Sequence, residues 1–370
     1  MPPAQDHSLA EMNQALTPEA KIHLYREMIR IRAFEEQATL HYQAGHMGGF
    51  LIVQRGQESI PVAVRSLMGP QDHSICSVRG MGTAIAAGMS MRSGMAELFG
   101  KATGCAKGKA GNFGFFAPEH RHWGGHGYAA TQTALATGLA FALKYQDLTG
   151  AVFCFLGDGS VNQGTFHEAL NLAGLFHLPV VYLIENNGYA MGMSVQRSSA
   201  MNGSLARRAE GYGIEWDLVD GNDIYEMRTK LQPAIERAYR HHRPTVLEIA
   251  TYRFEGFTIA DANRFRYRTK HEVEDRMQNH DPLALWREQL LKEGIADQDC
   301  FDRISKEARA EAKDAAAFAK ESPYPEPAAI TEDVYWEVDH DTPAGRTGRH
   351  FFGESSCPGR KREQTASPQS

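Results

Sequence analysis

Two unbroken apolar runs, "AVFCF" at 151–155 and "PVVYL" at 179–183, constrain this chain more than any other feature. Neither alternates with polar residues, so each reads as a strand buried on both faces. Between them Phe166, Ala169, Leu170 and Ala173 recur at helical spacing. Such a strand–helix–strand unit runs its strands parallel and covers the sheet with helices, which makes the fold class α/β, a parallel sheet flanked by helices. A second unit comes later: "EWDLVD" at 215–220 as a strand, a helix over 224–241, and "TVLEIATYRF" at 245–254 as a strand. Upstream, Thr17-Pro18 reads as an N-cap with proline in the first helical position, opening a long amphipathic helix toward residue 44. Glycine-rich polar loops and short helical patterns fill 45–127, and 131–145 is small and apolar on several faces, as a buried helix is. Asp281-Pro282 starts another helix, and Phe301, Ile304, Ala308, Ala315 and Phe318 mark the core side of one more.

The residues just beyond each apolar run point to function. The first run leads into Gly157-Asp158-Gly159 and the second into Asn186-Asn187-Gly188. In a parallel sheet, ligands bind beyond the carboxyl ends of the strands. Asp158 and Asn187 both fall there, 29 positions apart (187 − 158), which suits a strand end, a helix and the next strand end. One carboxylate, one amide oxygen and a nearby backbone carbonyl make three hard oxygen ligands. Magnesium takes few protein oxygens and completes its octahedron with phosphate and water. Gly157 and Gly159 let the backbone approach a phosphate, and a helix starting near Ser160 would aim its amides and positive end at it. The pair reads as a magnesium–diphosphate cradle, whereas either half alone reads equally well as a tight turn. Two other phosphate patterns fail. Gly125, Gly127 and Ala130 fit GxGxxA, but "FFAPEHRHW" before them reads as no strand, and "GCAKGK" is too short for a Walker loop.

Bulk composition narrows the class further. A net charge of −6 and a pI near 6.2 leave no basic footprint, so nucleic acid is not the expected partner. Five scattered cysteines form no CxxC pair, which suits a reducing compartment. No apolar run approaches the roughly 18 residues of a membrane span, and the first residues lack a signal-peptide layout, so a cytoplasmic protein is expected. Residues 341–370 are rich in Gly, Pro, Ser and charge and read as flexible. The expected organisation is an extension at 1–16, one domain at 17–325 and a tail at 326–370.

The stretch "GDGSVNQGTFHEALNLAGLFHLPVVYLIENNGYAMG" resembles the thiamine diphosphate motif, which opens on Gly-Asp-Gly and closes on Asn-Asn. With "GKATGCAKGKAGN", "GGHGYAATQTALATGLAFALK" and "TYRFEGFTIADANRFRYRTKHEV", the chain resembles the alpha subunits of pyruvate, branched-chain 2-oxo acid and acetoin dehydrogenases from about residue 20 to 325. That resemblance implies thiamine diphosphate and Mg²⁺ as cofactors. Asp158, Asn187 and the Tyr189 carbonyl would hold the metal, with Gly159 and Ser160 along the diphosphate. Arg79 and Arg253 match diphosphate-binding arginines, and Gly127 and Ala129 match the backbone segment that meets the aminopyrimidine ring. The glutamate that activates this ring comes, in the family, from a separate beta subunit, so an α2β2 heterotetramer is implied. A 2-oxo acid would be the donor and a lipoyl carrier protein the acyl acceptor.

This chain departs from the family where histidines normally surround the reacting carbon. Ile52, Met81, Gly114 and Phe257 stand at those positions. General acid–base groups contribute roughly 10²- to 10⁴-fold, so their loss bears on the reaction itself. His126 and Glu255 are the candidate catalytic replacements, and solvated loop residues the plainer reading of both. Three functions compete: the dehydrogenase subunit, a thiamine-dependent transferase moving a two-carbon ketol or acyl unit to a carrier protein or other acceptor, with a 2-oxo acid or ketose as donor, and a non-catalytic scaffold.

Overall fold

The computed structural model describes residues 6–334. They divide into a body within Met1–Tyr324 and a second unit from Pro325, whose described part carries a 3-10 turn at Pro327–Thr331. Most of the expected tail, residues 335–370, lies outside the described residues.

The strands are β1 His73–Cys76, β2 His122–Gly125, β3 Val152–Gly157, β4 Val180–Asn186, β5 Tyr189–Ala190, β6 Met193–Ser194, β7 Glu215–Asp220 and β8 Thr245–Ala250. The first helices are α1 Glu11–Gln14, α2 Pro18–Gln43, α3 Ser59–Arg65, α4 Met81–Ala87, α5 Met91–Leu98, α6 Thr131–Tyr145 and α7 Gly164–Phe176. They are followed by α8 Val195–Ser198, α9 Ile224–His241, α10 Arg264–Tyr267, α11 Lys270–Asn279, α12 Pro282–Lys292 and α13 Gln298–Glu321. Six strands form one parallel sheet in the order β2-β1-β3-β4-β8-β7, while β5 and β6 pair separately as a small antiparallel hairpin.

Burial on both faces explains the continuous apolar runs. Along β3, Val152, Cys154 and Leu156 pack with α6 and α7, while Phe153 and Phe155 turn to α3 and α9 on the other side. β4 alternates in the same way, with Val180, Tyr182 and Ile184 on one face and Val181 and Leu183 on the other. A further helical layer of α2, α4, α5, α12 and α13 shares its own core. Thr17 caps α2 through its hydroxyl, which accepts from the Ala20 amide, and Pro18 takes the first turn as expected. Asn13, fully buried, donates to the Tyr225 carbonyl and accepts from Arg228, so the chain before residue 17 is stitched to α9.

Three local expectations are corrected. Within 45–127 the structure has two strands, β1 and β2, where the sequence suggests only loops and helical pieces. β2 includes His122 and Trp123, so the last two residues of "FFAPEHRHW" are strand, while Pro118–His120 before them form a 3-10 turn. The helix expected near Ser160 is a three-residue 3-10 turn, and α7 proper starts at Gly164 after Gln163 adopts an extended backbone. Finally, α6 is buried on one side only. Leu135, Phe141 and Tyr145 stand exposed, and Leu172, Leu175 and Phe176 of α7 join them through an edge-on contact between Phe141 and Phe176. An all-round apolar helix is satisfied only when both sides are covered, and the described residues cover one. Among the described residues no helix is long and apolar enough to cross a membrane.

Candidate active site

Five strands deliver their carboxyl ends to one cleft of about 360 Å³. β1 runs into Ser77, Val78 and Arg79, β2 into Gly127 and Ala129, and β3 into Asp158, Gly159 and Ser160. β4 runs into Asn187 and Tyr189, and β8 into Arg253 and Phe257. All nine residues expected to hold the cofactor line this cleft, because parallel strands finish side by side.

Asp158 is 4% exposed. Its Oδ1 accepts from the Gly159 amide at 2.9 Å, while Oδ2 is buried with no hydrogen-bond partner. Burial pushes the carboxyl up to about 6, against the Gly159 hydrogen bond and the fields of Arg253 and Arg79. Asn187, also buried, donates weakly to Gln57 at 3.4 Å, and its Oδ1 receives the Tyr189 amide at 3.4 Å. Arg253, 1% exposed, donates to the carbonyls of Tyr189 (3.0 Å) and Met191 and leaves its Nε unpartnered. Arg79 donates to the Val53 carbonyl, and burial with Arg253 nearby pulls its pKa down to about 10. Two buried guanidiniums that repel one another beside an unsatisfied carboxylate oxygen make a site short of an anion and of a cation together.

Glycine serves approach here. A Cβ on Gly159 would stand 2.5 Å from the Cβ of Ala190, whereas one on Gly157 would meet nothing within 4 Å. Sequence reasoning misses Glu185, a buried carboxylate on the cleft wall pushed up to about 7 by burial. A charge closing the apolar run of β4 is the signal for it. Ala190 and Met191 also line the cleft and carry no signal of their own.

The two candidate catalytic residues are placed elsewhere. Neither lines the cleft. Glu255 spends both carboxylate oxygens on ion pairs, with Arg55 at 2.8 Å and Arg264 at 2.5 Å. His126 is half-buried, edge-on to Phe116, with Nε2 unpartnered and its pKa lowered by burial. The arrangement thus gives neither a free proton-handling group within the cleft. Of the positions where the resembled family carries histidine, only Phe257 lines the cleft. Ile52 and Met81 are buried, and at Gly114 even a Cβ would collide with the Cβ of Ala110.

Fold and cleft together define an α/β chain with a cleft along the carboxyl edge of a parallel sheet. The chain belongs to the dehydrogenase E1 component family, whose sequence model it matches over residues 26–328. It is 38% identical over 310 residues to the pyruvate dehydrogenase E1 component subunit alpha of Rhizobium meliloti, covering 84% of this chain and 88% of that one. Identity to the same-named subunit of Zymomonas mobilis is 39% over 321 residues, 86% and 88% of the two chains. The chloroplastic subunit alpha-3 of Oryza sativa is 33% identical over 335 residues, 88% of this chain and 78% of that one.

Proposed function

We propose that this chain is the alpha subunit of a thiamine diphosphate- and Mg²⁺-dependent 2-oxo acid dehydrogenase. Working with a beta subunit, it decarboxylates a pyruvate-like donor and passes the acyl unit to a lipoyl carrier. Family membership supports the reaction class. The observation that carries the cofactor is the buried, unpartnered Oδ2 of Asp158 in a cleft that also holds two buried arginines.

The residues fit the group. Asp158 and the amide oxygen of Asn187 would hold Mg²⁺, with the Tyr189 carbonyl using the lone pair that Arg253 leaves free. Arg79 and Arg253 would neutralise the diphosphate, and Gly159 and Ser160 border its path. Backbone groups at Gly127 and Ala129 would face the ring. Among the described residues no cluster of three or more His, Cys, Asp or Glu side chains could hold a metal, so amide, carbonyl and phosphate oxygens must complete the sphere. When bound, thiamine diphosphate supplies the carbon nucleophile and electron sink that a 2-oxo acid needs to lose carbon dioxide. Val78 and Phe257 line the cleft with apolar surface, which limits water and strengthens the electrostatics inside.

The test is calorimetry on the chain co-purified with its beta subunit, titrated with thiamine diphosphate with and without Mg²⁺. Saturable uptake only with metal is expected, followed by carbon dioxide release from a 2-oxo acid. Ketose cleavage without carbon dioxide release would assign a transferase instead, and absence of metal-dependent uptake would refute the cofactor reading.

A further inference from the structure

Glu97 of α5 is fully buried, and backbone amides gather around its carboxylate. Its Oε2 accepts from the amides of Ala106 (2.8 Å) and Gly108 (2.9 Å), and its Oε1 from those of Ala110 (2.9 Å) and Gly111 (3.0 Å). Four amides converging on one carboxylate wrap the loop after α5 around a single side chain. The loop is cut to that shape. A Cβ on Gly104 would collide with Oε2 of Glu97, and one on Gly108 would stand 2.5 Å from the Gly100 carbonyl carbon.

What the loop presents is Asn112, itself buried. Its Oδ1 accepts from the Ile52 amide at 2.9 Å, and its Nδ2 donates to the Val78 carbonyl at 2.9 Å. Those two backbone groups flank a second tie, in which Arg79 donates to the carbonyl of Val53. One side-chain amide therefore bridges the segment carrying Val53 to the segment carrying Val78 and Arg79. Val78 and Arg79 line the cleft. Besides a long contact from Arg79 to the Phe257 carbonyl at 3.5 Å, the Arg79 guanidinium is held by its tie to Val53, and Asn112 bonds the residue before each end of that tie, at the Ile52 amide and the Val78 carbonyl.

We propose that Asn112, held in place by Glu97, is a positioning residue that sets the aim of Arg79 and hence the affinity of the cleft for a diphosphate. This rests on the cofactor reading above. The amide is suited to the task because it must accept on one side and donate on the other. A carboxylate there would accept from Ile52 but oppose the Val78 carbonyl, and a methyl group would leave both backbone groups buried and unmade.

The test compares wild type, Asn112→Ala, Asn112→Asp and Asn112→Ser, each co-purified with the beta subunit. Thiamine diphosphate uptake is measured by calorimetry in Mg²⁺, and thermal unfolding is measured without ligand. Asn112→Ala and Asn112→Asp should weaken uptake about ten-fold or more, with Asn112→Ser in between. Maximal turnover at saturating cofactor should fall by no more than about three-fold, so that the loss appears in half-saturation. Glu97→Gln should weaken uptake in the same direction. Unchanged uptake in Asn112→Ala overturns the proposal, and so does a loss that merely tracks the ligand-free unfolding temperature across the series. Should Asn112→Ala fail to fold, the serine and aspartate variants decide by the same two criteria. Failure of the wild type itself to take up cofactor would instead strike the functional reading, which keeps the two failures apart.

Discussion

Asp158 occupies a position where an acid is costly unless something arrives to use it. Its carboxyl is pushed up to about 6, so burial outweighs both neighbouring arginines in the ligand-free chain. Asp158→Asn should therefore stabilise the empty protein by an amount on the order of 1–3 kcal/mol. On the proposed function it should also remove the rise in unfolding temperature expected of the wild type with Mg²⁺ and thiamine diphosphate. Melting curves with and without ligand check both halves, and a variant that still gains stability from ligand contradicts the assignment. His122 makes a separate prediction. It is fully buried, hydrogen-bonded between its Nδ1 and the Ser74 hydroxyl at 2.9 Å, and burial drives its pKa down to about 3, helped by Arg65. The unfolded chain takes up this proton near pH 6.5, while the folded chain refuses it down to about pH 3. This histidine's contribution is thus complete above pH 6.5 and is lost as the pH falls through that window, at roughly 1.4 kcal/mol per unit. Urea unfolding at pH 7 and pH 5 should show a shallower acid loss for His122→Asn than for wild type.

At the scale of elements, the cleft is a matter of how closely turns approach one another. The turn after β3 meets the β5–β6 hairpin at Gly159, where a Cβ would collide with Ala190. Gly159→Ala should push the hairpin outward and weaken cofactor uptake about ten-fold or more. Adding Ala190→Gly should restore much of it, since the double variant removes the atom that was struck. Calorimetric titration of the three proteins settles the point, and no rescue would mean that the glycine matters for another reason. β3, β4 and α9 are legible nearly in full, because long apolar runs and a 3.6-residue period mark them, and β7, half of it charged, is placed by the strand–helix–strand order around α9. β8 reads four residues too long, since Tyr252 and Phe254 are buried in a loop rather than in the ladder. β1 and β2 are silent in the sequence: four residues each, and containing His73, Ser74, His122 and two glycines, they carry no period. Asp158 and Asn187 can be placed together from their position after strands. The engagement of Glu255 with Arg55 cannot, because ion pairing between residues 200 apart leaves no local trace.

At the scale of the whole molecule, an apolar face stands uncovered among the described residues. Leu135, Phe141, Tyr145, Leu172, Leu175 and Phe176 share the outer side of α6 and α7, and Tyr128, 83% exposed, stands beside the cleft residues Gly127 and Ala129. Chains stable on their own rarely keep so many large apolar groups in one patch. The isolated chain should bind a hydrophobic dye strongly and scatter light increasingly with concentration. Substituting Phe141→Lys and Leu175→Glu together should reduce both signals without altering the circular dichroism spectrum. Dye binding as weak as that of an ordinary monomer would show that the face is covered in solution.

The spread of the cleft along the chain also decides when it comes into being. Arg79 and Arg253 are 174 positions apart (253 − 79), whereas the sheet strands behind them pair across at most 79 positions (152 − 73). At about 5–20 residues per second, a ribosome takes roughly 9–35 seconds to travel from one to the other. No nascent fragment ending before β8 owns the whole of this cleft, so a ligand that needs Arg253 cannot guide early folding. Loading must wait until β8 and the Arg253 and Phe257 that follow it have been made.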